Sequence, residues 1–201
     1  MPATPIRALF LDDDRGVAEG MKAALAGVGI EVTSFTATVA ETVARAATDR
    51  PDLIVADIDI AGVLALGLPA ALPSDAPPVL WWSGHDAQYR VPAAQAGGAG
   101  FVSKRDGLDE LVAAIRRVAD GEVTWSQADM MAARHAPKPP SAREREVLVG
   151  VAAGRSNKEI AADLGVSERT IESHLGNMYL RYDVSNRIEL LRLSWRWGWI
   201  P

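Results

Sequence analysis

The chain contains no cysteine, which excludes a disulfide framework, thiolate metal sites and thiol catalysis. Its three histidines are scattered, and that argues against a zinc centre. No apolar run reaches the length a bilayer crossing needs, and Met1–Arg7 lacks the apolar segment of a secretory signal. A cytoplasmic protein with no membrane partner is expected. Basic charge is also scarce, with a formal net charge of −5. The deficit is uneven. Residues 1–120 hold ten basic and sixteen acidic side chains, a net of −6, whereas residues 141–201 hold nine and eight, a net of +1. Halves of different charge point to different partners, yet the second half is far less basic than most free-standing nucleic-acid binders. At 201 residues of ordinary globular composition the chain fits two modest domains.

The most informative stretch is Leu53-Ile54-Val55-Ala56, four apolar residues ending abruptly at Asp57. Continuous apolar runs suit strands buried on both faces of a parallel sheet. Similar short runs are predicted as strands over Ile6 to Leu11, Ile30 to Phe35, Pro78 to Trp82 and Gly100 to Ser103. Helical spacing marks Arg15 to Val28, Thr38 to Thr48, Ala87 to Ala96 and Asp106 to Asp120 between and after them. A further helix is expected within Val63 to Leu72, interrupted by Gly67 and Pro69, and Pro92 is expected to shorten or kink the helix containing it. Five strands alternating with five helices give a doubly wound α/β domain, because parallel strands require crossover helices. Residues 122–140 break this rhythm, and Ala136-Pro137-Lys138-Pro139-Pro140 reads as a stiff exposed spacer. The expected organisation is a domain over 1–121, a linker over 122–140 and an all-helical domain over 141–201.

Asp12, Asp13, Asp57, Ser83 and Lys104 fall at the C-terminal ends of four different predicted strands. In a parallel sheet those ends share one edge, where open α/β folds place their chemistry. Neighbouring carboxylates raise each other's proton affinity, which a hard cation such as magnesium relieves through oxygen ligands. The lysine ammonium adds positive charge, an aspartate can act as a nucleophile, and a serine hydroxyl can hydrogen-bond a phosphoryl oxygen. Singly, each residue reads as a solvated loop position; their joint placement points to phosphoryl chemistry.

With Asp12-Asp13 after the first strand, Asp57 after the third, Ser83 after the fourth, and Phe101 and Lys104 around the fifth, residues 6–120 resemble the receiver domain of two-component response regulators. The resemblance implies a flavodoxin-like, five-stranded parallel sheet. It implies that Asp57 accepts a phosphoryl group from a sensor histidine kinase. Mg2+ would be held by Asp12, Asp13, Asp57 and the backbone carbonyl of Asp59, with Ser83 and Phe101 shifting to report the modification. The sequence departs from the usual pattern after Asp57. Where such domains carry a proline and then Asp-Gly, this chain has Ile58-Asp59-Ile60-Ala61-Gly62-Val63-Leu64. Asp57-Ile58-Asp59 also resembles the D-x-D motif of haloacid-dehalogenase-like phosphatases. That motif normally opens its domain, and no acidic pair follows the lysine at another strand end, so a regulator rather than an enzyme is expected. An atypical receiver controlled by a ligand or partner, without phosphorylation, is the alternative.

In the second half, Ser141 to Glu144 has capping-box spacing, Asn157 is placed as the cap of a second helix, and Gly165-Val166-Ser167 is a tight turn before a helix over Glu168 to Tyr182. Helix, glycine turn, helix is the pattern that lays its second helix in the DNA major groove; an ordinary helical bundle shares the spacing. The residues Ser141 to Leu148, Gly154 to Ala161 and Leu164 to Leu175 resemble the DNA-binding domain of LuxR-type (NarL/FixJ) regulators over 141–193. This implies a four-helix helix-turn-helix domain that dimerises through its last helix, here Asn186 to Trp195, with Ile188 and Leu191. The expected DNA-facing residues are Thr170, Glu172, Ser173, Gly176 and Asn177, with Lys158, Arg169, His174, Arg181 and Arg187 as nearby cationic or potentially cationic groups. Three departures lower the expected affinity: Glu172 where many relatives have lysine, Leu180 at an often basic position, and Asp183 where glycine usually ends the helix. His174 reads equally as a partly packed helix residue. The tail Trp195-Arg196-Trp197-Gly198-Trp199 reads as a flap packed on the protein's own surface.

Overall fold

A computed structural model describes residues 4–84 and 86–200. The chain forms two compact units, divided between Ala136 and Pro137. In the first, β1 (Ile6–Leu11), β2 (Ile30–Thr36), β3 (Leu53–Ala56), β6 (Val79–Ser83) and β7 (Gly100–Ser103) form a parallel sheet in the order β2-β1-β3-β6-β7. The short strands β4 (Asp59–Ile60) and β5 (Val63–Leu64) form a separate antiparallel hairpin. Helices α1 (Arg15–Ala26), α2 (Val39–Asp49), α3 (Leu68–Ala71), α4 (Asp86–Ala96) and α5 (Leu108–Ala119) accompany the sheet.

Strand alternation divides the core into two layers. Ala8, Phe10, Leu53, Val55, Leu80 and Val102 face the layer containing Leu25 of α1 and Leu111, Ile115 and Val118 of α5. Leu9, Leu11, Ile54, Ala56, Trp81 and Phe101 face the layer containing Ala46, Leu68 and Ala93, from α2, α3 and α4. Every residue of β3 is buried, as its unbroken apolar run requires. A leucine-to-alanine change there would cost roughly 2–5 kcal/mol. Asp57 follows immediately, at the edge of this rigid centre.

Three expectations need correction. The segment expected as an interrupted helix within Val63 to Leu72 instead contains β5, a single 3-10 turn and the one-turn α3. Ala61 and Gly62 both have positive φ, 52° and 82°, which matches the two-residue turn that joins twisted antiparallel strands. Pro92 does not shorten α4, which continues to Ala96; the ring is buried, so apolar packing offsets the one missing donor. Residues 122–135, expected as linker, include α6 (Gln127–His135), which begins with a Ser126–Asp129 capping box and belongs to the first unit.

The second unit contains α7 (Ala142–Ala152), α8 (Asn157–Leu164), α9 (Glu168–Tyr182) and α10 (Arg187–Arg196) around Val147, Leu148, Ile160, Ile171, Leu175, Met178 and Leu190. Ser156, rather than Asn157, caps α8, because its hydroxyl accepts from Glu159 N while Glu159 answers to Ser156 N. Gly165 ends α8 at φ 65° and Ser167 caps α9. The tail packs in part: Trp199 and Ile200 are buried, with Trp199 4.7 Å from the Tyr182 ring and 6.4 Å from that of Trp197, whereas Trp195 is 44 % exposed. Among the described residues no helix is long and apolar enough to cross a membrane.

Candidate phosphoryl-acceptor site and nucleic-acid interface

The strand ends bring Asp12, Asp57 and Lys104 together. Parallel pairing of β1 with β3 sets Leu11 beside Ala56, and Asp57 N then donates to Leu11 O at 2.8 Å. Lys104 N donates to Ser83 O at 3.0 Å across the other side of the sheet. From these anchors Lys104 Nζ reaches Asp12 Oδ2 at 2.7 Å and Asp57 Oδ2 at 2.6 Å. Burial alone would lower the ammonium's proton affinity, but its hydrogen bonds and charge contacts with Asp12 and Asp57 outweigh this and raise it above the usual lysine value. One face of the ammonium also lies 4.9 Å from the Trp82 ring centre. Trp82 is a site residue the sequence reading missed as such, although strand alternation separates it from Trp81 and pairs it with Val102, two residues before Lys104.

Asp57 Oδ1 accepts from Ile58 N at 2.6 Å, and 13 % of the side chain remains exposed. Asp12 is buried, and its Oδ1 accepts from Asp14 N. The exposed Asp13 accepts from Ala61 N at 3.1 Å, so the hairpin is tied to the acidic edge by a backbone donor. Asp59 is engaged within the hairpin, with its Oδ1 accepting from Gly62 N. Ser83 is buried at the end of β6, and Phe101 is buried within β7. As donors, the carboxylates are hard oxygens of the type magnesium takes, and Asp12 and Asp57 already converge on one cationic point. Among the described residues no three carboxylates or histidines are grouped as a ready-made metal cage. The arrangement can stabilise negative charge beside an accessible carboxylate.

In the second unit, the buried seam of α9 is Ile171, Leu175 and Met178. That rotation leaves Arg169, Glu172, Ser173 and Asn177 exposed, with Thr170, His174 and Gly176 half-buried. Leu180, 85 % exposed, extends the face. Two of the expected phosphate-binding cations are engaged internally. Arg181 forms a two-pronged pair with the buried Glu144, and Arg187 donates to Arg155 O and, at 3.4 Å, to Asn157 Oδ1. Glu144 was legible as a capping residue but not as this partner. Lys158 and Arg169 are exposed and make no ion pair among the described residues. On α10, Ile188 is 63 % exposed, whereas Leu191 is half-buried against the unit's core.

Comparison with known proteins matches both units. Residues 8–116 match the response regulator receiver domain, and residues 139–194 match the bacterial regulatory proteins of the luxR family. Transcriptional regulatory protein FixJ of Bradyrhizobium diazoefficiens is 32 % identical over 200 residues, covering 94 % of each chain. Transcriptional regulatory protein UhpA of Escherichia coli is 37 % identical over 148 residues, covering 72 % of this chain and 74 % of that one. Among solved structures, response regulator ChrA of a heme-sensing two-component system is 28 % identical with a TM-score of 0.53, over 98 % of this chain and all of the other.

Proposed function

The chain belongs to the NarL/FixJ-type response regulators, which join a receiver domain to a LuxR-type helix-turn-helix, and from this premise we propose that Asp57 is its phosphoryl acceptor. It is a DNA-binding response regulator, of a family of transcription factors. The observation that carries the Asp57 reading is the ammonium of Lys104 shared by Asp12 and Asp57 while Asp57 stays partly exposed. In the transfer, an Asp57 carboxylate oxygen bonds to phosphorus as the N–P bond of a kinase phosphohistidine breaks, and the imidazole leaves. Lys104 offsets charge on the phosphoryl oxygens, and the Ser83 hydroxyl is the donor that turns to one of them. Asp12, Asp13, Asp57 and the Asp59 backbone carbonyl would hold a magnesium ion, which would neutralise charge on the incoming group.

The domains are the receiver over 1–121, followed in the first unit by α6, and the DNA-binding domain over 141–201, working in the cytoplasm without membrane association. Partners are a sensor histidine kinase, DNA and, on activation, a second copy of the chain through α10, with Ile188 exposed and available. On DNA, Glu172, Ser173 and Asn177 face the bases while Lys158 and Arg169 face phosphates. The test is intact mass and sedimentation of the purified chain with and without acetyl phosphate and magnesium, beside Asp57→Ala. A phosphoryl mass increment lost in the variant, with a shift toward dimer, is expected. A folded protein that gains no increment would remove the Asp57 reading.

A further inference from the structure

Residues 122–135 are held on the first unit by a chain of contacts that ends at Phe101. Thr124 N donates to Ala99 O at 2.7 Å, beside β7. Gly100 makes this approach possible, since a Cβ there would lie 1.7 Å from the Thr124 hydroxyl. Trp125 follows, with Nε1 donating to Gly98 O at 2.6 Å and its ring 6.3 Å from that of Phe101. Ser126 and Asp129 close the capping box of α6. The same Asp129 carboxylate takes Arg90 Nε of α4 at 3.0 Å. The Arg90 guanidinium lies 5.3 Å from the Phe101 ring centre, in the range of a cation–π contact. One side chain therefore touches both the ring on β7 and the cap of α6.

We propose that Arg90 is a positioning residue that couples Phe101 to α6, making residues 125–135 a strap docked on α4 while the ring holds its present place. If the ring moves away, Arg90 loses its π partner and Trp125 its aromatic neighbour, so beyond Thr124 the strap keeps only the Trp125–Gly98 hydrogen bond and an Arg90–Asp129 pair whose arginine is no longer positioned by the ring. Thr124, fixed by Ala99 and Gly100 independently of the ring, is the hinge. Release adds the strap to the proline-rich connector at Pro137, lengthening the tether to the DNA-binding unit and changing the geometry in which two such units can meet paired half-sites. The trigger, a shift of Phe101 on phosphorylation, rests on the reading of Asp57 given above; the coupling itself does not.

Hydrogen–deuterium exchange of residues 127–135 in the full chain tests it. Phe101→Leu keeps an apolar side chain and removes the π face, and Arg90→Gln removes the charge. Each should speed α6 exchange by about tenfold. The double variant should exchange no faster than the faster single, because both cut the same link. Arg90→Lys should restore part of the protection, and α5, packed in the opposite core layer, should be unchanged throughout. Unaltered α6 exchange in Phe101→Leu, or fully multiplicative effects in the double variant, would overturn the coupling. In the chain carrying a phosphoryl mass increment, α6 exchange should rise by a similar factor. An increment without that rise refutes the strap as a reporter; no increment at all counts against Asp57 instead, and the variants still decide the coupling.

Discussion

Ala61 occupies the left-handed region at φ 52°, where a Cβ is disfavoured by about 1–2 kcal/mol. It stays there because the turn between β4 and β5 needs positive φ twice and because its N–H is held by Asp13. Ala61→Gly should therefore stabilise the first unit, by about 0.5–1 kcal/mol once the glycine's extra freedom in the unfolded chain is subtracted. Urea melts followed by exchange in β1 and β3 measure it, and a variant no more stable than the parent would mean the turn is relaxed as it stands. The same residues show the limit of reading a site from sequence. Asp57 and Lys104 were legible because strand ends are marked by where apolar runs stop. The Asp13–Ala61 bond was not, since it joins a side chain to a backbone donor forty-eight positions away, and backbone donors have no signature in the residue letters.

Among elements, α7 and α9 are joined by a contact that serves two purposes. Glu144 accepts from Ser141 N at 2.8 Å to cap α7 and receives the Arg181 guanidinium from near the end of α9. Burial pushes its proton affinity up, but the Arg181 and Ser141 hydrogen bonds and the Arg181 charge outweigh this and hold it below the ordinary glutamate value. A carboxyl with depressed affinity contributes stability above its unfolded value, near 4.5, and loses it as pH falls through the lower folded one. Glu144→Gln should cost the second unit roughly 1–3 kcal/mol at neutral pH. The difference should shrink on acidification below about pH 4. Exchange rates of α7 and α9 amides in the full chain report it, and a difference constant with pH would exclude the ion pair as its source. The strands and most helices followed from periodicity and caps, down to the Glu168–Tyr182 limits of α9. The helix α6 did not, although Ser126 and Asp129 stand at capping-box spacing. The prolines downstream gave the stretch the composition of a linker; no residue of α6 is buried, and docking on α4 makes it an element of the first unit.

At the scale of the whole molecule, charge sets how DNA is held. The second unit carries a net charge of only +1 over residues 141–201, and Arg181 and Arg187 hydrogen-bond within it, Arg181 with 40 % of its side chain still exposed. Lys158 and Arg169 are then the exposed cations on or beside α9 that make no ion pair among the described residues, and on the proposed reading they would face phosphates while Glu172 repels them. Each phosphate neutralised contributes about −0.9 to the slope of log affinity against log salt. A single chain should therefore bind weakly, with a slope of roughly −2, and a phosphorylated dimer on paired half-sites should approach about −4. Fluorescence anisotropy over a salt series, with the unmodified and acetyl-phosphate-treated chain, distinguishes these cases. A monomer slope much steeper than two phosphates allow would mean that Arg181 or Arg187 leaves its internal partner on DNA. In that event Glu144→Gln, which frees Arg181 beforehand, should tighten binding rather than leave it unchanged. With Arg181 paired to Glu144, a second copy on the operator is the larger source of phosphate contacts, and on the proposed reading phosphorylation would act at that pairing.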